Sequence, residues 1–232
     1  MLPASAQRIT ERLDGGDLVL DVGGWAVPFA RADWVIDLMP YATRGRYGVP
    51  QGGEEERFDA GRWVERDICA REPWPFADGQ FDFAICAQTL EDVRDPVWVC
   101  SELNRVAKAG YVEVPSRLAE QSLGVHGPWA GWSHHHWLCD VEPGRIEFVF
   151  KSHVLHAREE FHFPEGFAAS LAPEEGVQQL WWEGGFEYAE RVLIETEEHD
   201  RYLASFVAAH SRPPAPSAGG SLRSRLTRRV PR

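Results

Sequence analysis

The chain has 232 residues, of which 44% are hydrophobic and 12% aromatic, with ten tryptophans, enough to close one good-sized core. The formal charge of −12 is uneven: six of the 24 basic residues and none of the 36 acids follow Ser211, so the body ahead of that point repels a phosphate backbone and nucleic acid is not an expected partner. No window reaches the length of a membrane span, and the N-terminal MLPASAQRITERLDGGD lacks the basic-then-apolar order of a signal peptide, so the expectation is a soluble cytoplasmic protein with no membrane partner.

Taken in chain order, residues 3–14 have the spacing of a short amphipathic helix, and DLVLDV (17–22) and WVIDLM (34–39) read as apolar strands. RWVERDI (62–68) alternates as a strand does, and FDFAICAQ (81–88) is apolar on both faces. Asp95-Pro96 is a helix start, and the following VWVCSELNRVAK puts Val97, Cys100, Leu103 and Val106 on one stripe before GYVEVP (110–115) returns to strand. Strands apolar on both faces and joined by helical connections predict an α/β fold, a Rossmann-like, doubly wound sheet. Seven strands are expected, mostly parallel with an antiparallel last one. Residues 116–144 have no clear period and read as an inserted lid. RIEFVFKSHVLH alternates Ile146, Phe148 and Phe150 against Glu147, Val149 and Lys151; PEEGVQQLWWEG reads as a helix between Pro173 and Gly184; EYAERVLIETE (187–197) reads as a further strand. Residues 1–210 are therefore taken as one domain, and 211–232, rich in Pro, Ser, Gly and Arg, as a disordered basic tail. Cys69, Cys86, Cys100 and Cys139 lack a CxxC pair and are expected to be buried free thiols.

In an open parallel sheet, ligands gather at the carboxyl ends of the strands. Asp21, with Gly23 and Gly24 after it, Asp37 and Asp67 close three successive strands. Glycine permits positive φ and close approach of the backbone to a ligand, and a carboxylate such as Asp37 can accept two hydrogen bonds from ribose hydroxyls. Three strand-end acids in register point to a nucleoside site, although each alone is an ordinary loop or helix cap.

VLDVGG, VIDLMP, RDIC, PWPFADGQFDFAICAQTLEDVRDP and ELNRVAKAGYVEVP, in this order and spacing, resemble the class I S-adenosylmethionine-dependent methyltransferases, particularly the small-molecule type 11 group, over about residues 17–115. The resemblance implies S-adenosyl-L-methionine as cofactor and a small-molecule acceptor methylated on oxygen or nitrogen. It further implies that Asp37 holds the ribose, that Leu38 and Met39 flank the adenine, and that Asp67 with Ile68 meets the adenine edge. Gln88 and Leu90 would border the methionine portion, with Asp21 near its ammonium. The sequence departs from the family at Trp25 and Val27, where glycines are usual, and at Asp92, where a histidine frequently follows the Leu-Glu pair. Trp25 is therefore expected to open the turn outward and line the methionine end, an aromatic face being favourable to a sulfonium.

The lid carries PWAGWSHHHWLCD. Methyl transfer needs in-line alignment, exclusion of water and in some cases a proton acceptor, and histidine suits the last task. In an extended chain His134 and His136 share one face and His135 the other, which makes His134 and His136 the candidate bases and His135 a substrate contact. Trp129, Trp132 and Trp137 are expected to wall the acceptor pocket. Glu91 is either a substrate contact or a solvated helix-start acid, and Arg117 and Glu120 are surface or lid-pinning charges. Two other readings stay open: a non-catalytic S-adenosylmethionine-binding or scaffold protein of the same fold, and a metal-dependent enzyme using the His134–His136 cluster.

Overall fold

A computed structural model describes residues 1–48, 51–53 and 55–211; the expected basic tail lies, from Arg212 onward, outside the described residues. In chain order the elements are α1 (Pro3–Arg12), β1 (Val19–Val22), β2 (Trp34–Asp37), β3 (Trp63–Glu65), β4 (Phe83–Ala87), α2 (Pro96–Val106) and β5 (Ala109–Pro115). There follow α3 (Arg117–Glu120), β6 (Leu123–His126), β7 (Trp129–Ala130), β8 (Trp137–Glu142), β9 (Arg145–Phe150), β10 (Val177–Glu183), β11 (Glu187–Glu190) and α4 (Thr196–His210).

The central sheet runs β10-β5-β4-β1-β2-β3. Its first five strands in sequence are parallel and β10 is antiparallel to β5. This is the expected Rossmann-like sheet with six strands among the described residues rather than seven. The helix expected between Pro173 and Gly184 is instead a short 3-10 turn followed by β10. Leu180 and Trp182 enter the core on one face, while Trp181 packs on Tyr111 on the other at 4.5 Å between ring centroids. The contiguous LWW triplet carries no period by itself, and pairing with β5 decides the matter. The strand expected over 187–197 ends at Glu190 and pairs with β9, in parallel, inside a second sheet of order β11-β9-β8. Its remaining residues lead into α4, which buries Tyr202, Leu203 and Val207.

Only some of the expected helical connections exist. Asp95 caps α2 by accepting from the Trp98 amide at 3.0 Å, and Pro96 starts the helix where no amide donor is needed. The β1–β2 connection, however, is irregular. Pro28 lacks a donor, the Phe29 amide is taken by Asp21, and the carbonyls of Trp25 and Ala26 accept from Gly45 and Tyr47, so no helical ladder can form. Among its described residues the β2–β3 connection likewise has no helix other than 3-10 turns.

Alternation along β1 separates the two cores. Leu20 and Val22 face Val99, Cys100 and Leu103 of α2 together with Cys139, Ile146 and Phe148 of the second sheet. Val19 faces Ile9 of α1, Phe29 and Phe83. The second sheet thus lies on the same face of the central sheet as α2. Its other side, through Leu138 and Val149, is covered by Tyr202 and Leu203 of α4. That explains why Val149 is buried while Phe150, expected on the apolar face, is 57% exposed. Residues 116–144 are not one open loop: they hold α3, the β6–β7 hairpin and β8, pinned by buried Arg117, which stacks on Tyr202 at 3.8 Å and donates to its carbonyl. All four cysteines are free and buried. Among the described residues no helix is long and apolar enough to cross a membrane.

Candidate active site

One cleft of about 1170 Å³ opens at the carboxyl ends of β1, β2 and β4 and is closed on its far side by the histidine segment. It brings together Gly23, Trp25, Asp37, Leu38, Asp67, Ile68, Gln88, Glu91, Trp132, His134, His135 and His136 from the sequence-derived candidates. Asp21, Gly24, Met39, Leu90, Trp129 and Trp137 do not line it.

Each exclusion has a local cause. The Asp21 carboxylate turns under the glycine pair and accepts from the Phe29 amide at 2.8 Å, and a Cβ at Gly24 would overlap it. Burial, with the nearby Asp37 charge adding to it, pushes the Asp21 carboxyl up to about 7. Met39 is fastened by its backbone, its amide donating to Asp37 and its carbonyl accepting from the Trp63 indole. Leu90 is fully buried in the core. Trp137 is a core residue whose indole donates to the Val93 carbonyl at 2.8 Å. Trp129 packs edge-on against His156 at a separate cavity of about 260 Å³.

The glycine turn is shaped from both sides. Gly23 has φ +75°, and a Cβ there would run into the Thr89 side chain, so the turn and the loop after β4 interlock through a missing side chain. Asp37 accepts from the Trp25 amide at 3.0 Å and the Met39 amide at 2.8 Å, one on each oxygen, which leaves a second lone pair per oxygen for a ligand. Burial raises the Asp37 pKa, and those amides act against the rise. The Trp25 indole donates to Thr43 Oγ1 and meets Tyr47 edge-on at 5.4 Å, so it forms a side wall rather than a plug. Asp67 sits beyond the end of β3, paired with Arg94 at 2.7 Å; that pairing holds its carboxyl below the usual range.

Gln88 follows β4 directly with φ +55°, the left-handed conformation that is uncommon for a residue with a Cβ. It is held there by its amide on the Glu113 carbonyl at 2.8 Å and by its side chain on the Glu113 carboxylate at 3.2 Å. The kink delivers Thr89, Glu91 and Asp92 to the cleft. Glu91 is 1% exposed and neither of its carboxyl oxygens has a hydrogen-bond partner. Burial raises its pKa well above the usual value and favours the neutral acid rather than a solvated helix-start charge.

The histidine segment is tied to this loop directly, since the His136 amide donates to the Glu91 carbonyl at 2.7 Å. The expected alternation of the three imidazoles does not hold. Ser133 and His134 form a turn before β8, so consecutive side chains converge: the His134 and His135 rings lie 4.6 Å apart, and both Nε2 atoms face Asp92. His135 is buried, with Trp132 stacked on it at 5.1 Å and its Nδ1 2.6 Å from Glu120 Oε1. Glu120 is itself buried and bound by Lys151 at 2.6 Å. His136 is exposed at the cleft. Burial lowers the His134 pKa, with Asp92 opposing the shift.

Tyr47, Thr89, Asp92 and Arg94 also line the cleft and were not sequence candidates. Asp92 left a trace, standing where the resemblance expects histidine. Tyr47 left none, because its packing on Trp25 and the hydrogen bond from its amide to the Ala26 carbonyl, both about twenty residues back in the chain, bring it here.

A family model described as "Methyltransferase domain" matches residues 51–112, the segment that includes β3, β4 and α2. No curated protein matches the chain. Among solved structures the chain is similar to an S-adenosylmethionine-dependent methyltransferase from Mesorhizobium loti, 15% identical over 63% of this chain and 62% of that one with a TM-score of 0.37. It is also similar to the YcgJ protein from Bacillus subtilis, 18% identical over 49% and 51% with a TM-score of 0.36. A third likeness is to the N-terminal domain of EvdMO1, solved in the presence of SAH and D-fucose, 15% identical over 55% and 56% with a TM-score of 0.36. The chain spans about half the length of the Bacillus protein.

Proposed function

We propose that this chain, which carries a class I S-adenosylmethionine-dependent methyltransferase domain, binds S-adenosylmethionine at the strand ends and methylates an oxygen or nitrogen of a small molecule held under the histidine segment. The observation that carries this reading is that one cleft is lined both by Gly23, Asp37 and Gln88 at the strand ends and by Trp132 to His136. Its volume of about 1170 Å³ exceeds the range of a single drug-sized ligand, which leaves room for a nucleoside and an acceptor together.

The residues suit the cofactor. The free lone pairs of Asp37 match vicinal ribose hydroxyls, Leu38 presents an apolar side chain that is 63% exposed for the base, and Trp25 and Tyr47 supply aromatic faces. When bound, the cofactor supplies an electrophilic methyl group. The chain's own part is positional: Gln88 and Thr89 fix the floor of the cleft, and Trp132 and the histidines narrow it against water. His136, exposed at the cleft and tethered through its backbone amide to the Glu91 carbonyl, takes the acceptor's proton. The excess of acid on the body favours an acceptor without a strong negative charge.

The test has two stages. Calorimetry with S-adenosylmethionine and with its demethylated product should show saturable binding to one site per chain. Isotope-labelled cofactor incubated with the protein and a metabolite extract should then yield a labelled product heavier by one methylene by mass spectrometry. Absence of binding by either compound at millimolar concentration defeats the reading; binding without any methylated product favours the scaffold alternative.

A further inference from the structure

Asp92, His134 and His135 each present one ligand atom, and those atoms all lie within 4.8 Å of one another. His135 Nε2 is 3.6 Å and His134 Nε2 3.9 Å from the same oxygen, Asp92 Oδ1. These distances are too long for an N–H···O bond. They are a few tenths of an ångström above the roughly 3.4 Å that separates neighbouring ligands around a tetrahedral ion with bonds of about 2.0–2.1 Å. Asp92 Oδ1 is buried and has no hydrogen-bond partner.

The surroundings fix which nitrogen of His135 is available. Glu120 Oε1 stands 2.6 Å from His135 Nδ1, so the ring donates its Nδ1 proton to that carboxylate, and Lys151 holds the other carboxylate oxygen at 2.6 Å. The Nε2 lone pair then points at Asp92 Oδ1, another lone pair. A proton on either atom or a cation between them would relieve the repulsion of those lone pairs, and the 3.6 Å separation is too long for the proton-bridged pair but suits an intervening cation. A carboxylate behind an imidazole whose far nitrogen is free is also the arrangement that orients metal-ligating histidines.

We propose that Asp92, His134 and His135 form a binding site for one divalent transition-metal cation, with Glu120 and Lys151 as its supporting shell. Two imidazoles and one carboxylate suit Zn²⁺, Fe²⁺ or Co²⁺ rather than Mg²⁺ or Ca²⁺, which prefer all-oxygen sets. All three ligands line the large cleft, so the remaining coordination positions face the acceptor space and take an oxygen or nitrogen donor from the small molecule. The ligand geometry stands without the methyl-transfer reading; where both hold, His134 is a ligand and His136 alone is left as proton acceptor.

The test uses the full chain without a histidine tag, stripped with chelator and titrated with Co²⁺. One equivalent should bind per chain, with visible d–d absorption of a low-coordinate nitrogen–oxygen site and displacement by Zn²⁺. His134→Gln, at an exposed position that tolerates change, and Asp92→Asn should each weaken Co²⁺ at least tenfold. Glu120→Gln should weaken it about 10- to 100-fold through His135 alone. His153→Gln, outside the cleft, should leave binding unchanged. Far-ultraviolet circular dichroism and the melting temperature show whether each variant is folded. If folded His134→Gln and Asp92→Asn bind Co²⁺ as the parent does, or if the parent takes up none at millimolar Co²⁺, the site does not exist. Titration of the metal-free protein with the demethylated cofactor product reads the nucleoside site separately, so failure of the metal proposal leaves a distinct signature from failure of the functional one.

Discussion

Replacing Asp21 by Asn separates two roles that this acid could have: contact with a ligand, or support of the turn beneath it. Its carboxylate is buried, holds the Phe29 amide at 2.8 Å and fills the space under Gly24. An Asn side chain keeps an acceptor oxygen for that amide and removes the ionisation. The unfolded chain ionises Asp21 near its ordinary value of 3.8, while the folded chain does so at about 7. Between those values the folded state binds more protons, so this group's contribution to stability is greatest at low pH and falls as pH rises, levelling off above the folded pKa. From about pH 6 to about pH 8.5 the loss is about 1.4 kcal/mol. Asp21→Asn should therefore gain on the parent by that amount over the same interval, measured as the difference in urea-unfolding free energy at each pH. Its affinity for the demethylated cofactor product should stay within about threefold, because the carboxylate does not line the cleft. Stability curves that run parallel across the interval would refute the burial argument, and a tenfold loss of ligand affinity would return Asp21 to the binding site.

Three further outcomes follow from contacts in the same region. Asp37→Ala should weaken binding of that product at least tenfold, about 1.4 kcal/mol, whereas Asp37→Asn should lose less; isothermal titration of the two variants checks the order. Gly23→Ala must overlap Thr89 at a φ of +75° and should cost about 1–3 kcal/mol in chemical denaturation, a cost that adding Thr89→Ala should reduce. Lys151→Met leaves the buried Glu120 carboxylate without its ammonium and should destabilise by about 3–5 kcal/mol. The double variant Glu120→Gln/Lys151→Met should recover part of that loss in a thermodynamic cycle.

What the sequence determined by itself was the part of the molecule written in local periodicity. Alternating or continuous apolar runs placed β1, β2, β4 and β5, and Asp95-Pro96 placed the start of α2, because burial against a sheet and the capping of a helix are decided within a few residues. The strand ends carried the cleft's cofactor side for the same reason: Asp37 closes β2, Gly23 and Gln88 directly follow β1 and β4, and strands of a parallel sheet deliver their ends to one edge. Tertiary structure decided everything that depended on a partner distant in sequence. Whether LWW became strand or helix was settled by β5, and whether 187–197 joined the central sheet was settled by β9. Asp21 went beneath the turn rather than into the cleft because the Phe29 amide was there to be satisfied. The histidines depart furthest from local logic. A turn at Ser133-His134, the stacked Trp132 and the buried Glu120–Lys151 pair set His134 and His135 side by side against Asp92, a convergence of segments about forty residues apart that no spacing rule encodes.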